Sequence, residues 1–400
     1  VRHESPPLLQ KYLSSTSVRT HLPTAPLLRD FDRDVWCLFG LPVDNLTMDS
    51  TKKLLRDMAG REGTSIVMST VNVNWVVQSL RDSAFRAAVL NSDIVTIDGR
   101  PLLWLSKLLG YPMREVVAGS SLIEELNNEK DAQKPLTLFL FGGDDGVAAQ
   151  AMEKVNTSCG GLRVVGFHSP GFGTVEEMST EAIITKINAK NPDILLIALG
   201  AKKGTQWIER NRRRLNAKII SHLGATINFL AGTVKRAPGW VGQAGLEWLW
   251  RIAQEPSLFF RYAGDGLILL GYLISNVYPC LRMAYCQRKI TATKSTGAIR
   301  VQLSQQIDFP HTLFLNVGSA SDKDLTVGAA FRECVSLGKD VVLDLRQVPY
   351  CGGQLLAWIL LLQKHQYKLG RNMTVGGLES PEKSISGFYD IENLRELFSK

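Results

Sequence analysis

Between residues 35 and 230, short runs of apolar and β-branched residues alternate with stretches whose apolar positions recur at helical spacing. The runs at 65–70, 94–97, 136–141, 162–165, 194–199 and 219–220 predict strands, and the patterns at 75–89, 146–156 and 176–189 predict the helices between them. Strand–helix alternation of this kind builds an α/β domain: a mostly parallel sheet with helices on both faces. Ligands of such sheets sit beyond the carboxyl ends of the strands. The loops that matter are therefore those just after each strand, at Asn72 and Asn74, Asp98-Gly99, Gly142-Gly143-Asp144 and Gly200-Ala201-Lys202-Lys203.

Past Arg261 the alternation stops. Residues 266–281 are uncharged, sixteen in a row between Asp265 and Arg282, interrupted by Asn276 and Pro279. That falls short of the ~20 residues that span a bilayer. A buried helix and a membrane-surface segment both fit the pattern. A polar linker follows at 286–297, and then a second, small α/β unit. Its predicted strands lie at 299–303, 312–317, 341–345 and 373–375, its helices at 325–337 and 354–369. Ahead of everything, residues 1–34 are rich in Pro, Ser and charge and read as a tail. The predicted organisation is thus a tail (1–34), a main domain (35–262), an apolar segment with linker (263–297) and a C-terminal unit (298–400).

Charge changes this picture in one place. From Gly200 to Arg261 there are eleven Lys and Arg against three Glu, a surplus equal to the formal net charge of +8 for all 400 residues. A surplus concentrated in one stretch points to a bound polyanion more than to general solubility. In the same stretch the cations are interleaved with Trp240, Trp248, Trp250 and Tyr262, which suits an anionic membrane surface or a phosphorylated substrate. The six cysteines are scattered with no Cys-x-x-Cys pair, which argues against a zinc site or a disulfide framework and fits a reducing cytoplasm.

Several residues could carry chemistry. Gly142-Gly143-Asp144-Asp145-Gly146 follows a strand and opens a helix, so its amides could cradle a diphosphate; a plain tight turn fits equally. Asp98 closes a strand at the crevice, where a carboxylate could act as a general base; it could equally cap the helix that follows. His168 and His222 have no partner at ligand spacing and read as structural. Asp-x-Asp spacing occurs only at Asp30/Asp32/Asp34 and Asp322/Asp324, none after a strand of the first sheet, so no metal site is expected. Arg251 and Arg261 lie ten residues apart, about 80° around a continuous helix, although Pro256 should break it. They could converge on one phosphate group or form a solvated rim.

Taken together and in order, these motifs resemble the WecG/TagA/CpsF glycosyltransferases over about 35–262. The matching signatures are Thr70-Val-Asn72, Asp98-Gly99, Val117-Ala-Gly119-Ser120, Phe141-Gly142-Gly143, Gly200-Ala201-x-Lys203, Phe229-Leu-Ala-Gly232-x-Val-Lys235-Arg236-Ala-Pro238 and Gly245-Leu-Glu247-Trp248-x-x-Arg251 with Glu255-Pro256. The resemblance implies a Rossmann-like domain performing metal-independent, inverting transfer from a UDP-sugar to a polyprenyl-diphosphate-linked saccharide. It places the enzyme peripherally at the cytoplasmic face of a bacterial inner membrane, in surface polysaccharide biosynthesis, without a cofactor and without nucleic acid as partner. Carried over by position, Asp98 matches the proposed base. Thr70 and Asn72 match the pocket near the transferred sugar, Asn228 the nucleotide base contact, and Arg251 and Arg261 the cations at the leaving diphosphate. Gly142, Gly143, Gly200 and Lys203 match further substrate-binding positions.

The chain also departs from that pattern. Relatives usually read Gly-x-Pro-Lys-Gln-Glu where Gly200-Ala201-Lys202-Lys203-Gly204-Thr205 stands, and the cation that often follows Glu-Pro is Leu258. A weak or inactive family member acting as an assembly scaffold is therefore the alternative. Residues from about 299 resemble a STAS domain, through Val341-Val-Leu-Asp344-Leu-Arg-Gln-Val348-Pro and the helix after it. The switch loop of such domains carries a Ser or Thr; here it reads Tyr350-Cys351-Gly352-Gly353. The resemblance implies a docking module for a protein partner or a second copy of the chain, without phosphorylation at that loop.

Overall fold

A computed structural model describes residues 28–61, 63, 65–129, 134–278, 300–306, 308–318, 325–348 and 352–376. They form two units, Asp44–Leu267 and a second drawn from Val1–Val43 with Ile268–Lys400. In chain order, a 3-10 turn at Leu28–Asp32 precedes a hairpin of β1 (Val35–Leu38) and β2 (Leu41–Asp44). The larger unit then runs α1 (Met48–Ala59), β3 (Ile66–Val71), α2 (Val73–Arg81), α3 (Ser83–Leu90), β4 (Ile94–Ile97), α4 (Arg100–Leu108) and α5 (Gly119–Asn128). It continues through β5 (Leu136–Gly142), α6 (Asp145–Ser158), β6 (Leu162–His168), α7 (Glu181–Asn188), β7 (Ile194–Ala198), α8 (Ala201–Asn211), β8 (Ile219–His222) and α9 (Thr226–Ala231). Three further helices follow: α10 (Gly239–Gln243), α11 (Glu247–Gln254) and α12 (Leu258–Tyr272).

Strands β3 to β8 make one six-stranded sheet in the order β4-β3-β8-β7-β5-β6, with every pairing parallel, as the alternation predicts. Successive strand residues face opposite sides. Met68, Leu138, Leu140 and Leu196 pack in one core with Leu55, Leu122, Ala151 and Ile227 from α1, α5, α6 and α9. Val67, Phe139, Phe141, Leu195 and Ile197 pack in a second core with Ile184, Trp207 and Ile208 from α7 and α8. Burial on both faces explains why the strands read as near-continuous apolar runs. All six strands point their carboxyl ends at one edge, and the chain jumps there from β4 to β5 across the sheet.

Two predicted helices prove to be broken. The pattern at 75–89 is two helices, because the Asp82 carboxylate accepts from the amides of Ala84 and Phe85 and starts α3. The pattern at 176–189 is a 3-10 turn, Glu177–Ser179, then α7 with Thr180 as its N-cap. Helices α1 and α5 were not foreseen.

The smaller unit is a five-stranded mixed sheet: β9 (Arg300–Ser304), β10 (Thr312–Gly318), β11 (Leu325–Thr326), β12 (Asp340–Asp344) and β13 (Met373–Gly376). The order is β11-β9-β10-β12-β13, with β9 antiparallel to its neighbours and β10, β12 and β13 parallel. Helices α13 (Val327–Leu337) and α14 (Gly353–Lys368) belong to it.

The unit boundaries differ from the sequence-based ones. Residues 28–43, assigned by sequence to the tail and the start of the main domain, pack instead in the smaller unit. Phe31 stands edge-on to Phe331 of α13 at 5.7 Å and to His365 of α14 at 5.6 Å, and Val35, Cys37 and Leu38 are buried. Apolar positions in a segment that reads as polar tail and short strand find their burial 300 residues away. The apolar segment also differs: its helix starts at Leu258 and continues past Tyr272 through a wider turn at Leu273–Val277. The linker, the first 27 residues, Tyr350 and Cys351 lie outside the described residues.

Candidate active site

Asp98 stands one residue beyond β4. Register pairs Val71 with Ile97, and the Asp98 amide donates to the Val71 carbonyl at 2.8 Å, so the two strand ends finish side by side. The cap of α4 is Gly99, with φ of 112° and no side-chain capping bond, so Asp98 is not spent as a helix cap. Its carboxylate instead accepts from the Thr70 hydroxyl. Burial foremost, then the neighbouring Glu247 carboxylate, pushes the Asp98 carboxyl up to about 7; Arg251, the Thr70 hydroxyl and Arg236 pull the other way. A carboxyl poised near neutrality is what a general base at cellular pH needs.

The cations beside it are positioned by Phe229 of α9. The Arg236 guanidinium lies 4.8 Å from the centre of that ring and the Arg251 guanidinium 5.7 Å, so one aromatic ring holds both. Arg236 also donates to the Ser120 carbonyl and the Ser121 hydroxyl and pairs with Glu124 at 2.7 Å, which ties it to the first turns of α5. That helix starts at Gly119, where a side chain would stand 2.1 Å from Leu223 and 3.3 Å from Thr70. The close approach brings the start of α5 against the Thr70 end of β3.

A second group lines the same sheet edge. Gly142 ends β5 at φ 103°, and a Cβ there would lie 2.4 Å from the Ala198 carbonyl at the end of β7. Gly143 follows against Ile227 of α9, the helix that also carries Asn228. Gly200 caps α8 directly after β7, and Lys203 in its first turn donates to the Gly173 carbonyl at 2.8 Å. These are the arrangements of turn and helix start that present amides to an anion.

The structure thus brings together Asp98, Thr70 and Arg251, and separately Gly142, Gly143, Gly200, Lys203 and Asn228 along the strand ends. Asn72 caps α2, its side chain accepting from the Trp75 amide at 3.2 Å. Arg261 is exposed on α12 over the Tyr262 ring at 5.2 Å and is not among the groups that act on Asp98. Pro256 does separate α11 from α12. His222 is buried, its Nε2 bonded to the Leu199 carbonyl at 2.6 Å, and burial pushes its pKa down. Sequence reasoning gave no role to Arg236 and Glu247. Both stand in the quoted motifs, but only the fold reveals that they face Asp98.

Comparison with known proteins matches this architecture. The profile of the glycosyl transferase WecG/TagA/CpsF family covers residues 36–279. An N-acetylglucosaminyldiphosphoundecaprenol N-acetyl-beta-D-mannosaminyltransferase of Bacillus spizizenii is 26% identical over 200 residues, 50% of this chain and 75% of the relative. Proteins of the same description from Bacillus subtilis (27% over 191 residues, 48% of this chain, 72% of the relative) and Staphylococcus aureus (21% over 221 residues, 54% and 82%) are also similar. The ordered motifs, the parallel sheet that carries them and these matches together lead to one conclusion: the chain belongs to the WecG/TagA/CpsF family and is a glycosyltransferase.

Proposed function

We propose that this glycosyltransferase moves a sugar, with inversion and without a metal, from a UDP-sugar to a saccharide linked to polyprenyl diphosphate. The observation that carries the reading is Asp98: a half-buried carboxyl, raised to about 7 chiefly by desolvation, at the strand ends beside Thr70 and two cations held on one aromatic ring. In the step proposed, an acceptor hydroxyl attacks the anomeric carbon of the donor. The new carbon–oxygen bond forms as the bond to the diphosphate breaks. The hydroxyl proton passes to Asp98, and the departing diphosphate takes the bonding electrons and is met by Arg251. A base on one face and charge stabilisation on the other are what an inverting displacement requires.

The relatives are named for an N-acetylglucosaminyl-diphosphoundecaprenol acceptor, and an acceptor of that kind is the one we assign here. Gly142, Gly143, Gly200 and Lys203 are the donor-side groups on this reading, with Asn228 at the nucleotide base. The assay is purified full chain with a panel of UDP-sugars, UDP-N-acetylmannosamine among them, and a lipid-diphosphate N-acetylglucosamine acceptor. Asp98→Asn lowers kcat by about 10²- to 10⁴-fold. Full activity in that variant overturns the base assignment.

The location we propose draws its support from α12. Phe259, Phe260, Leu267 and Leu270 are exposed on it and Ile274 on the turn after it, and by length and composition Leu258–Ser275 could cross a membrane. Asp265 argues against crossing: it is buried and accepts from Asn74 of α2 at 2.9 Å, which holds the first two turns on the catalytic unit. The uncharged run beyond it, sixteen residues to Leu281 in the sequence, is shorter than the ~20 that span a bilayer. We therefore assign peripheral attachment at the cytoplasmic face of a bacterial inner membrane. The C-terminal sheet and helices are read as a STAS-like docking module for a protein partner or a second copy of the chain.

A second reading is favoured by one observation. Where the family pattern has Gln, a side chain at Gly204 would stand 2.1 Å from the His222 ring, so the imidazole takes the room that side chain needs. A chain with no turnover on any donor would be the assembly scaffold.

A further inference from the structure

The loop and helices from Gly239 to Gln254 form a strap bound at both ends. At its start, Arg100, the first residue of α4 and two residues from Asp98, donates from Nε to the Gly242 carbonyl at 2.6 Å. Gly245 then turns at φ 71° against the Trp104 indole, where a Cβ would lie only 2.4 Å from the ring, and 3.3 Å from Arg100 Cβ. At its end, the Gln254 amide exchanges two hydrogen bonds with the Lys235 backbone, at 2.9 and 3.1 Å, and the Trp250 indole donates to the same carbonyl at 3.2 Å. Between these clips lie Glu247 and Arg251, four residues apart on α11 and so on one face of it. The Glu247 carboxylate lies against Gly242, the residue that Arg100 holds. Both charges act on Asp98, in opposite directions.

We propose that Glu247 is a positioning residue for proton transfer: the strap, clipped to α4 through Arg100 and Gly242, holds its carboxylate on the Asp98 side of the site, and Arg251 opposes it until a diphosphate occupies that guanidinium. The inference rests on Asp98 as base and adds how the base is tuned. The charged and hydrogen-bonding groups facing Asp98 are Glu247 and Arg251 from α11, Thr70 from β3 and Arg236 from the segment after α9. Arg236 already pairs with Glu124, so the balance between Glu247 and Arg251 is the part left to substrate. A bound diphosphate that pairs with Arg251 removes the attraction that holds the Asp98 proton off. Donor binding then strengthens the base at the moment the acceptor must be deprotonated, and in its absence the base is weaker.

The test reads the Asp98 titration directly, with no need of turnover. Melting temperatures of the full chain and of Asp98→Asn are compared from pH 4.5 to 8.5, and their difference inflects at the Asp98 pKa. The inflection stands near 7 in the parent, moves down by half a unit or more in Glu247→Gln, stays in Glu247→Asp, and moves up when UDP is added. Because Glu247 is exposed, raising the salt from 0.05 to 0.5 M narrows the difference in inflection between the parent and Glu247→Gln. Where turnover is measured, the acid limb of kcat/KM moves with the inflection, and KM for the donor changes less than twofold. An inflection unmoved by Glu247→Gln, or a loss of activity with the acid limb in place, overturns the proposal. Full activity of Asp98→Asn overturns the base reading instead, so the two failures are distinct.

Discussion

At the scale of residues, Asp98 is a site of stored cost. Its folded pKa of about 7 lies above the ordinary 3.8, so the folded state holds a proton that the unfolded chain has released across that window. Stability from this group is therefore intact below about pH 4 and lost progressively as pH rises to 7, by up to about 4 kcal/mol. Asp98→Asn is expected to raise the melting temperature at pH 8 while lowering kcat as above, and to give little gain at pH 4.5; calorimetry at the two pH values checks it. A gain equal at both would mean that burial alone, and not ionisation, carries the cost. How far such residues were legible is itself instructive. Asp98 stood out because a carboxylate ends an apolar strand, but base and helix cap could not be separated on sequence. What separates them is Gly99, whose left-handed backbone takes the cap position and leaves the carboxylate to Thr70. Arg236 and Glu247 were invisible as a pair with Asp98 because more than 130 residues lie between them, a distance closed by the ties of Arg236 to α5 and of the Gly242 loop to Arg100.

At the scale of elements, strands were easy to read and helix breaks were not. A strand buried on both faces declares itself by unbroken apolar residues, as 136–141 does, whereas the break between α2 and α3 depends on one Asp82 carboxylate choosing two backbone amides over solvent. Helix α8 shows how an altered motif is accommodated. Gly204 and His222 share one volume, and Thr205 turns its hydroxyl back onto the carbonyls of Ala201 and Lys202. Restoring the relatives' residue, Gly204→Gln, is expected to destabilise by about 1–3 kcal/mol through overpacking. His222→Ala in the same chain is expected to relieve part of that, so denaturant unfolding of the two singles and the double gives a non-additive coupling. Additive values would place the two side chains apart. Helix α12 carries the other element-scale expectation. Phe260 is 82% exposed and Leu267 71%, and each is worth about 1.5–3 kcal/mol on burial. Changing both to Ser is expected to lower partition onto anionic liposomes at least tenfold, and flotation that is indifferent to the pair would remove α12 from the membrane contact.

At the scale of the whole molecule, the chain returns on itself: its first described residues, 28–43, belong with residues beyond 267. A tail-like composition concealed this, because only Phe31, Val35, Cys37 and Leu38 carry the docking and no local period marks them. The contact has a charged centre. Asp30 is nearly buried and accepts from His365 Nε2 at 3.0 Å, with Lys364 at 3.6 Å and Arg33 at 3.3 Å. Burial alone would push the Asp30 carboxyl up, but Lys364, the His365 hydrogen bond and Arg33 hold it well below the usual carboxylate range. Burial also pushes His365 down from its ordinary value, against the pull of Asp30. Both depressed groups contribute stability that is present at neutral pH and lost on acidification, from about pH 6.5 downward for His365 and below about 4 for Asp30. The C-terminal sheet should therefore not fold without the N-terminal segment, whose loss would uncover Phe331 and His365. Asp30→Ala removes the buried carboxylate that His365 and Lys364 share and is expected to cost about 3–5 kcal/mol in the smaller unit. Calorimetry should then show two transitions, the one belonging to the smaller unit lowered by many degrees and the other, with turnover, unchanged. A single transition that shifts as a whole would mean that the two units unfold together and that the N-terminal segment is a clasp for the entire chain.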